Sequence, residues 1–311
     1  MKSNNIKIGT RGSQLALYQA NKVKDAIEEN FKDVTAEIVV IQTKGDKILD
    51  VSLSKIGDKG LFTKELEVAL INKEVDMAVH SLKDLPTFFP EGLELGGVLK
   101  RAEVRDALVS KNGKTLSQLG ANDVIATSSL RRRAQLLAYN PDFKIVDIRG
   151  NMNTRLLKMD NGHCDAMIMA ATGLQRLGLD DRITEIIDPE IMVPAVSQGA
   201  IGIEIRENDE VIQTIINGIN YEETMLVTTA ERAFLRSMEG GCQIPIGCYS
   251  VISDNKFSFT GLVADLKGEI SIRVSSTGEL ENAKEIALDV SKQMVAKGAT
   301  EILEEIRNNP N

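Results

Sequence analysis

The chain has 311 residues, 42% hydrophobic and 26% charged, which excludes a disordered protein and leaves room for two or three domains of roughly 100–200 residues each. Thirty-seven Lys and Arg against 45 Asp and Glu give a formal charge of −8, so general adhesion to nucleic acid or to an anionic membrane is not expected. Three cysteines and two histidines match neither a zinc-site spacing nor a disulfide framework, so no metal is expected and any thiol chemistry belongs to a single residue.

Met1 to Asn5 leads directly into a short apolar strand without a signal-peptide pattern, and no later segment is long enough to span a bilayer. The expected location is the cytoplasm. Ile6 to Thr10 reads as that strand, and Ser13 caps a helix with Leu15, Tyr18, Val23 and Ile27 on one side. A strand over 37–42, a helix centred on Leu66 to Ile71 and a buried strand over 76–80 continue the alternation of a mainly parallel sheet. The pattern then restarts. Strands are expected over 123–127, 144–148 and 165–170, with Ser129 capping a helix through Tyr139 and a further helix after Ala170. Beyond Asn220 the order changes to a helix over 222–238, three strands over 249–253, 257–264 and 270–275, and one long amphipathic helix over 283–306 carrying Ile286, Val290 and Met294. Short polar connections make those strands antiparallel hairpins. The fold class is therefore α/β: two lobes with mainly parallel sheets and a cleft between them, plus a third α+β domain with a small antiparallel sheet.

Four segments carry chemistry. Thr127-Ser128-Ser129-Leu130-Arg131-Arg132-Arg133, with Arg149 and Arg155 downstream, combines hydroxyls, helix-start N–H groups and guanidinium forks, all of which donate to anions. Arg133 belongs to the solvated side, since three successive helical residues cannot face one ligand. Thr10-Arg11-Gly12-Ser13, with Gln19 farther along, repeats the logic at another strand-to-helix junction. Two such corners imply a substrate with several negative groups; the phosphate-loop and dinucleotide glycine patterns are absent, so polycarboxylate is the better match. His80-Ser81-Leu82-Lys83-Asp84-Leu85-Pro86 follows a buried strand, and Pro86 disfavours helix at Leu85, leaving Ser81, Lys83 and Asp84 on a tight turn. Cys242 follows Gly240-Gly241, which strips side-chain cover from the thiol: an attachment point, or a small buried residue in a glycine-rich turn. Lys44 to Gly60 reads equally as a mobile lid or a solvated loop.

Taken in order, GTRGSQLAL (9–17), HSLKDLP (80–86), ATSSLRRRAQL (126–136), IRGNMNTRL (148–156), VPAVSQGAIGIE (193–204) and AERAFLRSMEGGCQIPIG (230–247) resemble the porphobilinogen deaminase, or hydroxymethylbilane synthase, family from about residue 5 to the C-terminus. Ala126 and Ser197 depart from a usual glycine, Arg133 from a frequent glutamine and Cys164 from a common aromatic. The resemblance implies a transferase of haem biosynthesis in which Cys242 holds a dipyrromethane cofactor by a thioether. Four porphobilinogen molecules would be deaminated and joined head to tail on it, releasing hydroxymethylbilane.

By the same resemblance Asp84 is catalytic, stabilising charge on the pyrrole nitrogens and moving protons. Ser81, Lys83, Thr127, Ser129, Arg131, Arg132 and Arg155 would bind the cofactor, and Arg11, Ser13, Gln19, Phe62, Arg149, Arg155, Arg176 and Gln198 the substrate or the growing oligopyrrole. Lys55 and Lys59 would lie in a flap. It also implies two lobes like periplasmic binding proteins, the first over 1–99 and 200–218 and the second over 100–199, with a third domain over 219–311 carrying Cys242. A monomer that passes its product to uroporphyrinogen-III synthase is expected. Two other readings stand beside it: a two-lobed dicarboxylate-binding or sensor protein, which needs the arginines but neither Cys242 nor Asp84, and a thiol acyltransferase, for which His80 and His163 offer no base tied to Cys242.

Overall fold

The structure is a computed structural model that describes residues 5–47, 60–238 and 244–308. Its chain falls into two compact units, the first comprising described residues 5–47, 60–102 and 199–225, the second 103–198 together with 226–238 and 244–308. Strands and helices are numbered along the chain.

The first unit is built on a five-stranded sheet ordered β2-β1-β3-β10-β4, from β1 (Asn5–Thr10), β2 (Thr35–Val40), β3 (Met77–Ser81), β4 (Leu93–Val98) and β10 (Ile201–Arg206). β1 pairs parallel with β2 and β3, whereas β10 runs antiparallel to both β3 and β4, so four of the five strands point one way and β10 is reversed. Alternation sorts the two faces. Met77, Val79, Ile201, Ile203 and Ile205 pack with helices α1 (Gln14–Asn30) and α7 (Glu210–Ile219), while Ala78 packs with Leu66, Ala69 and Leu70 of α3 (Lys64–Ile71); α2 is the single turn Lys44–Lys47. Ser13 does cap α1, its hydroxyl accepting from Ala16 N at 3.2 Å. The buried stripe is Ala16, Gln19, Ala20, Val23 and Ile27, so Leu15 and Tyr18 lie at its margin rather than on it.

The second unit holds a sheet with the same pattern of strand directions, β7-β6-β8-β5-β9, in which β6 (Val124–Ala126) pairs parallel with β7 (Lys144–Val146) and β8 (Ala166–Ala170), and β5 (Asp106–Ser110) runs antiparallel to β8 and β9 (Glu185–Ile186). Its helices are α4 (Leu130–Tyr139), α5 (Met152–Asp160) and α6 (Ala171–Arg176). The third sheet, β11 (Ile246–Ser253), β12 (Lys256–Ala264) and β13 (Ser271–Glu279), is antiparallel, and Asp254-Asn255 closes its first hairpin with both residues at positive φ, 51° and 59°, as a two-residue turn of that hand requires. α8 (Glu222–Ser237) supplies Val227, Ala230 and Phe234 to its core. The single long C-terminal helix expected over 283–306 is in fact two, α9 (Ala283–Ala296) and α10 (Ala299–Asn308), broken where Gly298 takes φ 96°, the left-handed stop that glycine provides. Both helices fold back onto the sheet through Ala287, Val290, Met294, Ile302 and Leu303.

Contacts from this sheet reach the rest of the second unit at several points. Cys248 N donates to Pro194 O at 3.0 Å, Arg273 donates to Glu190 O at 2.8 Å, and Gly268 at the second hairpin lies against the α4 backbone at Ala134 and Ala138.

Candidate active site

In the first unit, β3 ends at Ser81 and a 3-10 turn, Leu82–Asp84, follows directly. Leu82 is fully buried and Leu85 nearly so, pinning the turn on both sides of Lys83 and Asp84. Asp84 is exposed, and its carboxyl makes no hydrogen bond or ion pair with any described residue. Gln19, expected to touch substrate, is instead buried, and its amide donates to Ser81 Oγ at 2.8 Å; it braces the base of the turn from α1. On the opposite face of the sheet His80 Nε2 lies 2.9 Å from Glu204 Oε2, both side chains buried. His80 is thus a core partner of the reversed strand and no free base. Beside the pair, burial pushes the Glu67 carboxyl above its ordinary value, the Thr63 hydroxyl opposing the shift. Arg11 lies over the Phe62 ring, 4.2 Å from its centroid, so two of the expected substrate residues meet as a cation–π pair. Ser13 spends an oxygen lone pair on its cap.

In the second unit, β6 leads into the α4 N-terminus. Ser129 is the N-cap, its hydroxyl accepting from Arg132 N at 3.5 Å, and Thr127 Oγ1 accepts from Ser129 N at 3.2 Å, so both hydroxyls help shape the helix start. Arg131 and Arg132 are 5% and 8% exposed and converge on Asp106, which is fully buried at the first position of β5. Arg132 donates to Asp106 Oδ1 from Nη2 at 2.7 Å and from Nε at 3.2 Å; Arg131 Nη2 lies 2.8 Å from Asp106 Oδ2. Gln198 adds a 3.0 Å bond to the same Oδ1. Burial opposes ionisation of Asp106, but the two guanidiniums outweigh it and hold the carboxyl well below the usual carboxylate range. Arg131 shifts down, since burial disfavours its charge more than Asp106 restores it. Among the described residues the cluster pairs two cations with one anion, an excess of one positive charge. Asp106 is the member of this cluster that the sequence does not reveal: Arg132 is 26 positions away and Gln198 is 92, and the available signal was that arginines on a buried helix face require a counterion.

Farther on, Arg155 donates to Gly150 O at 2.8 Å across the turn capped by Asn151, with Arg149 in the same turn and Arg176 at the end of α6. His163 is exposed and bonds Asp147 O at 2.9 Å. Cys164 is buried, its thiol raised to about 11 by burial and by Asp165, and so is inert at neutral pH. Cys242, Lys55 and Lys59 lie outside the described residues. The chain emerging after Cys242 is described, however, and it is pinned beside the arginines. A side-chain carbon on Gly247 would stand 2.7 Å from Pro194 O and 3.2 Å from Arg131 Cδ. Gln135 grips the same segment, bonding Val193 O at 3.1 Å and accepting from Val193 N at 2.7 Å.

The donor set suits a cofactor bearing carboxylates: a residual positive charge, helix-start N–H groups and hydroxyls stand next to the strand that follows the expected attachment point. The fold is that of an α/β protein whose first unit carries Asp84 on a braced turn and whose second unit carries a buried arginine pair at a helix start. The comparisons agree. Residues 6–214 match the family model described as porphobilinogen deaminase, dipyromethane cofactor binding domain, and residues 225–296 match porphobilinogen deaminase, C-terminal domain. The chain is 50% identical over 302 residues to a porphobilinogen deaminase of Desulforamulus reducens, covering 97% of this chain and 98% of that one. It is 46% identical over 306 residues to one of Carboxydothermus hydrogenoformans, covering 98% of each, and 48% identical over 304 residues to one of Nostoc, covering 97% and 94%. The chain belongs to the porphobilinogen deaminase family, whose members are dipyrromethane-dependent transferases of tetrapyrrole biosynthesis. Among solved structures, an ancestral cationic amino acid solute binding protein aligns with 74% of this chain and 95% of its own at 15% identity and a TM-score of 0.45. No described helix is long and apolar enough to cross a membrane.

Proposed function

We propose that this chain deaminates porphobilinogen and joins four molecules head to tail onto a dipyrromethane tethered by Cys242, releasing hydroxymethylbilane. The observation that carries this reading is the Arg131–Arg132–Asp106 cluster, with its excess of one positive charge, beside the strand that leaves the Cys242 segment. When bound, the cofactor supplies the terminal pyrrole carbon on which the chain grows. Arg131, Arg132 and Arg155, with Lys83, Ser81, Thr127 and Ser129, hold its acetate and propionate groups. Arg11, Ser13, Arg149, Arg155, Arg176 and Gln198 bind the incoming and growing chain, Phe62 stacks on a pyrrole, and Gln19 acts through the Ser81 turn that it braces. Lys55 and Lys59 belong to a flap.

Asp84 accepts the pyrrole N–H, stabilises positive charge on that nitrogen as ammonia leaves, and moves the proton. At 4 Å and an effective dielectric near 20 the gross attraction is about 4 kcal/mol, from which desolvation and solvent screening subtract. Its exposure and lack of a described partner leave the carboxylate open to a ligand. The domain division at 1–99 with 200–218, 100–199 and 219–311 is part of this reading and is supported by the three separate sheets. So are a monomeric state, a cytoplasmic location and hand-over of the product to uroporphyrinogen-III synthase.

Intact mass of untreated protein, of Cys242→Ser and of Asp84→Asn tests it. The first and third should carry two pyrrole units and the second none, while Asp84→Asn should lose at least a hundredfold in product formation. A bare polypeptide mass for the unmodified chain, even after incubation with porphobilinogen, would overturn the reading in favour of a dicarboxylate sensor.

A further inference from the structure

We propose that Asp106 is a positioning residue for cofactor capture: it holds both guanidiniums in one place in the apoprotein, so the carboxylate-binding site exists before the cofactor arrives. This rests on the reading of Arg131 and Arg132 as cofactor ligands. Three observations support it. Asp106 has no solvent exposure, and all its side-chain partners among the described residues (Arg131, Arg132 and Gln198) belong to segments expected to bind cofactor or substrate. Both guanidiniums are also anchored to backbone carbonyls, Arg131 to Val193 O at 2.6 Å and Arg132 to Ile168 O at 3.0 Å, so with the carboxylate each fork is fixed at two points. A guanidinium has five N–H donors, and these bonds leave each arginine with donors to spare for a ligand. Without Asp106, two like charges would share one buried corner with no counterion. The charge count agrees with this role, since a single carboxylate makes burial of the pair tolerable yet leaves an excess that attracts an anion.

The test uses Asp106→Asn, Asp106→Glu and Arg132→Leu, purified alike. Intact mass reads the fraction of chains carrying the two-pyrrole adduct, and spectra of 15N-arginine-labelled protein read whether the Arg132 Nε–H is protected from exchange. Asp106→Asn is expected to fold, to lose that protected signal and to carry the adduct on fewer than one chain in five. Asp106→Glu, which keeps the charge, should recover loading at least twofold over the asparagine variant. Normal loading of folded Asp106→Asn, with Arg132→Leu still failing to load, overturns the positioning role and leaves the cofactor reading intact. Normal loading of Arg132→Leu overturns the reading of Arg132 as a cofactor ligand, on which the positioning role rests. Should Asp106→Asn be recovered only unfolded, Asp106→Glu decides: loading that falls with Nε–H protection supports the role, and full loading without protection refutes it.

Discussion

Ser197 takes φ 61° in a buried position, its hydroxyl has no hydrogen-bond partner among the described residues, and its N–H donates to Glu231 at 2.7 Å. The resemblance marks this position as a departure from glycine, and the backbone explains why glycine suits it. A left-handed conformation costs an L-residue roughly 1–2 kcal/mol, and the added chain entropy of glycine returns about 0.5–1 kcal/mol. Ser197→Gly should therefore stabilise the protein by about 1 kcal/mol, seen as a higher urea midpoint at unchanged slope. Asp106 contributes to the acid limb of stability. Its folded-state pKa lies below the unfolded value of about 3.9, so its contribution is present above pH ~4 and is lost as pH falls toward the folded value. The melting temperature should drop steeply between pH ~4 and ~2, and more shallowly in Asp106→Asn. At this scale the sequence disclosed donors better than acceptors. Arg131 and Arg132 stood out by clustering, and Lys83 and Asp84 by the neighbouring Pro86. Asp106 and the bracing role of Gln19 depended on partners about 25 and 62 positions away, which no local pattern encodes.

Among the elements, β11 packs closely beside Arg131. An alanine at Gly247 would place its methyl 2.7 Å and 3.0 Å from the carbonyl oxygens of Pro194 and Val193, both backbone atoms in a segment that Gln135 helps to hold. Gly247→Ala should destabilise by about 1–3 kcal/mol in urea and should lower the adduct fraction in the intact mass by pushing β11 away from Arg131. Strands with a clear apolar run, β1, β3, β6 and β8, were legible within a residue or two, β1 and β6 helped by the capping serines that follow them. β4, β5 and β10 were not read. Each pairs antiparallel across a long sequence gap, and β10, buried on both faces, carries Glu204 where an apolar residue is expected. Gly298 was visible, but the amphipathic pattern runs straight through it, and only the left-handed turn reveals two helices.

For the whole molecule, α/β class and a restarted pattern were readable, whereas the matching strand directions of the two five-stranded sheets were not, because sheet order is set by long-range pairing. The sheets differ in one respect. Strands β5 to β9 all lie between Asp106 and Ile186, while the first sheet needs β10 at Ile201–Arg206 to join β3 to β4. A fragment of residues 1–102 should therefore show no cooperative thermal transition by circular dichroism, and adding residues 199–225 through a short linker should restore one. A sharp melt of the shorter fragment would contradict the assignment of β10 as the joining strand. Synthesis on the ribosome meets the same geometry in time. At about 5–20 residues per second, the first apolar strand waits on the order of 10–40 s for Ile203 and Ile205 to emerge, and by then all five strands of the later sheet have already been translated. The nascent amino-terminal half is thus the stretch with most need of a chaperone, even though it is made first.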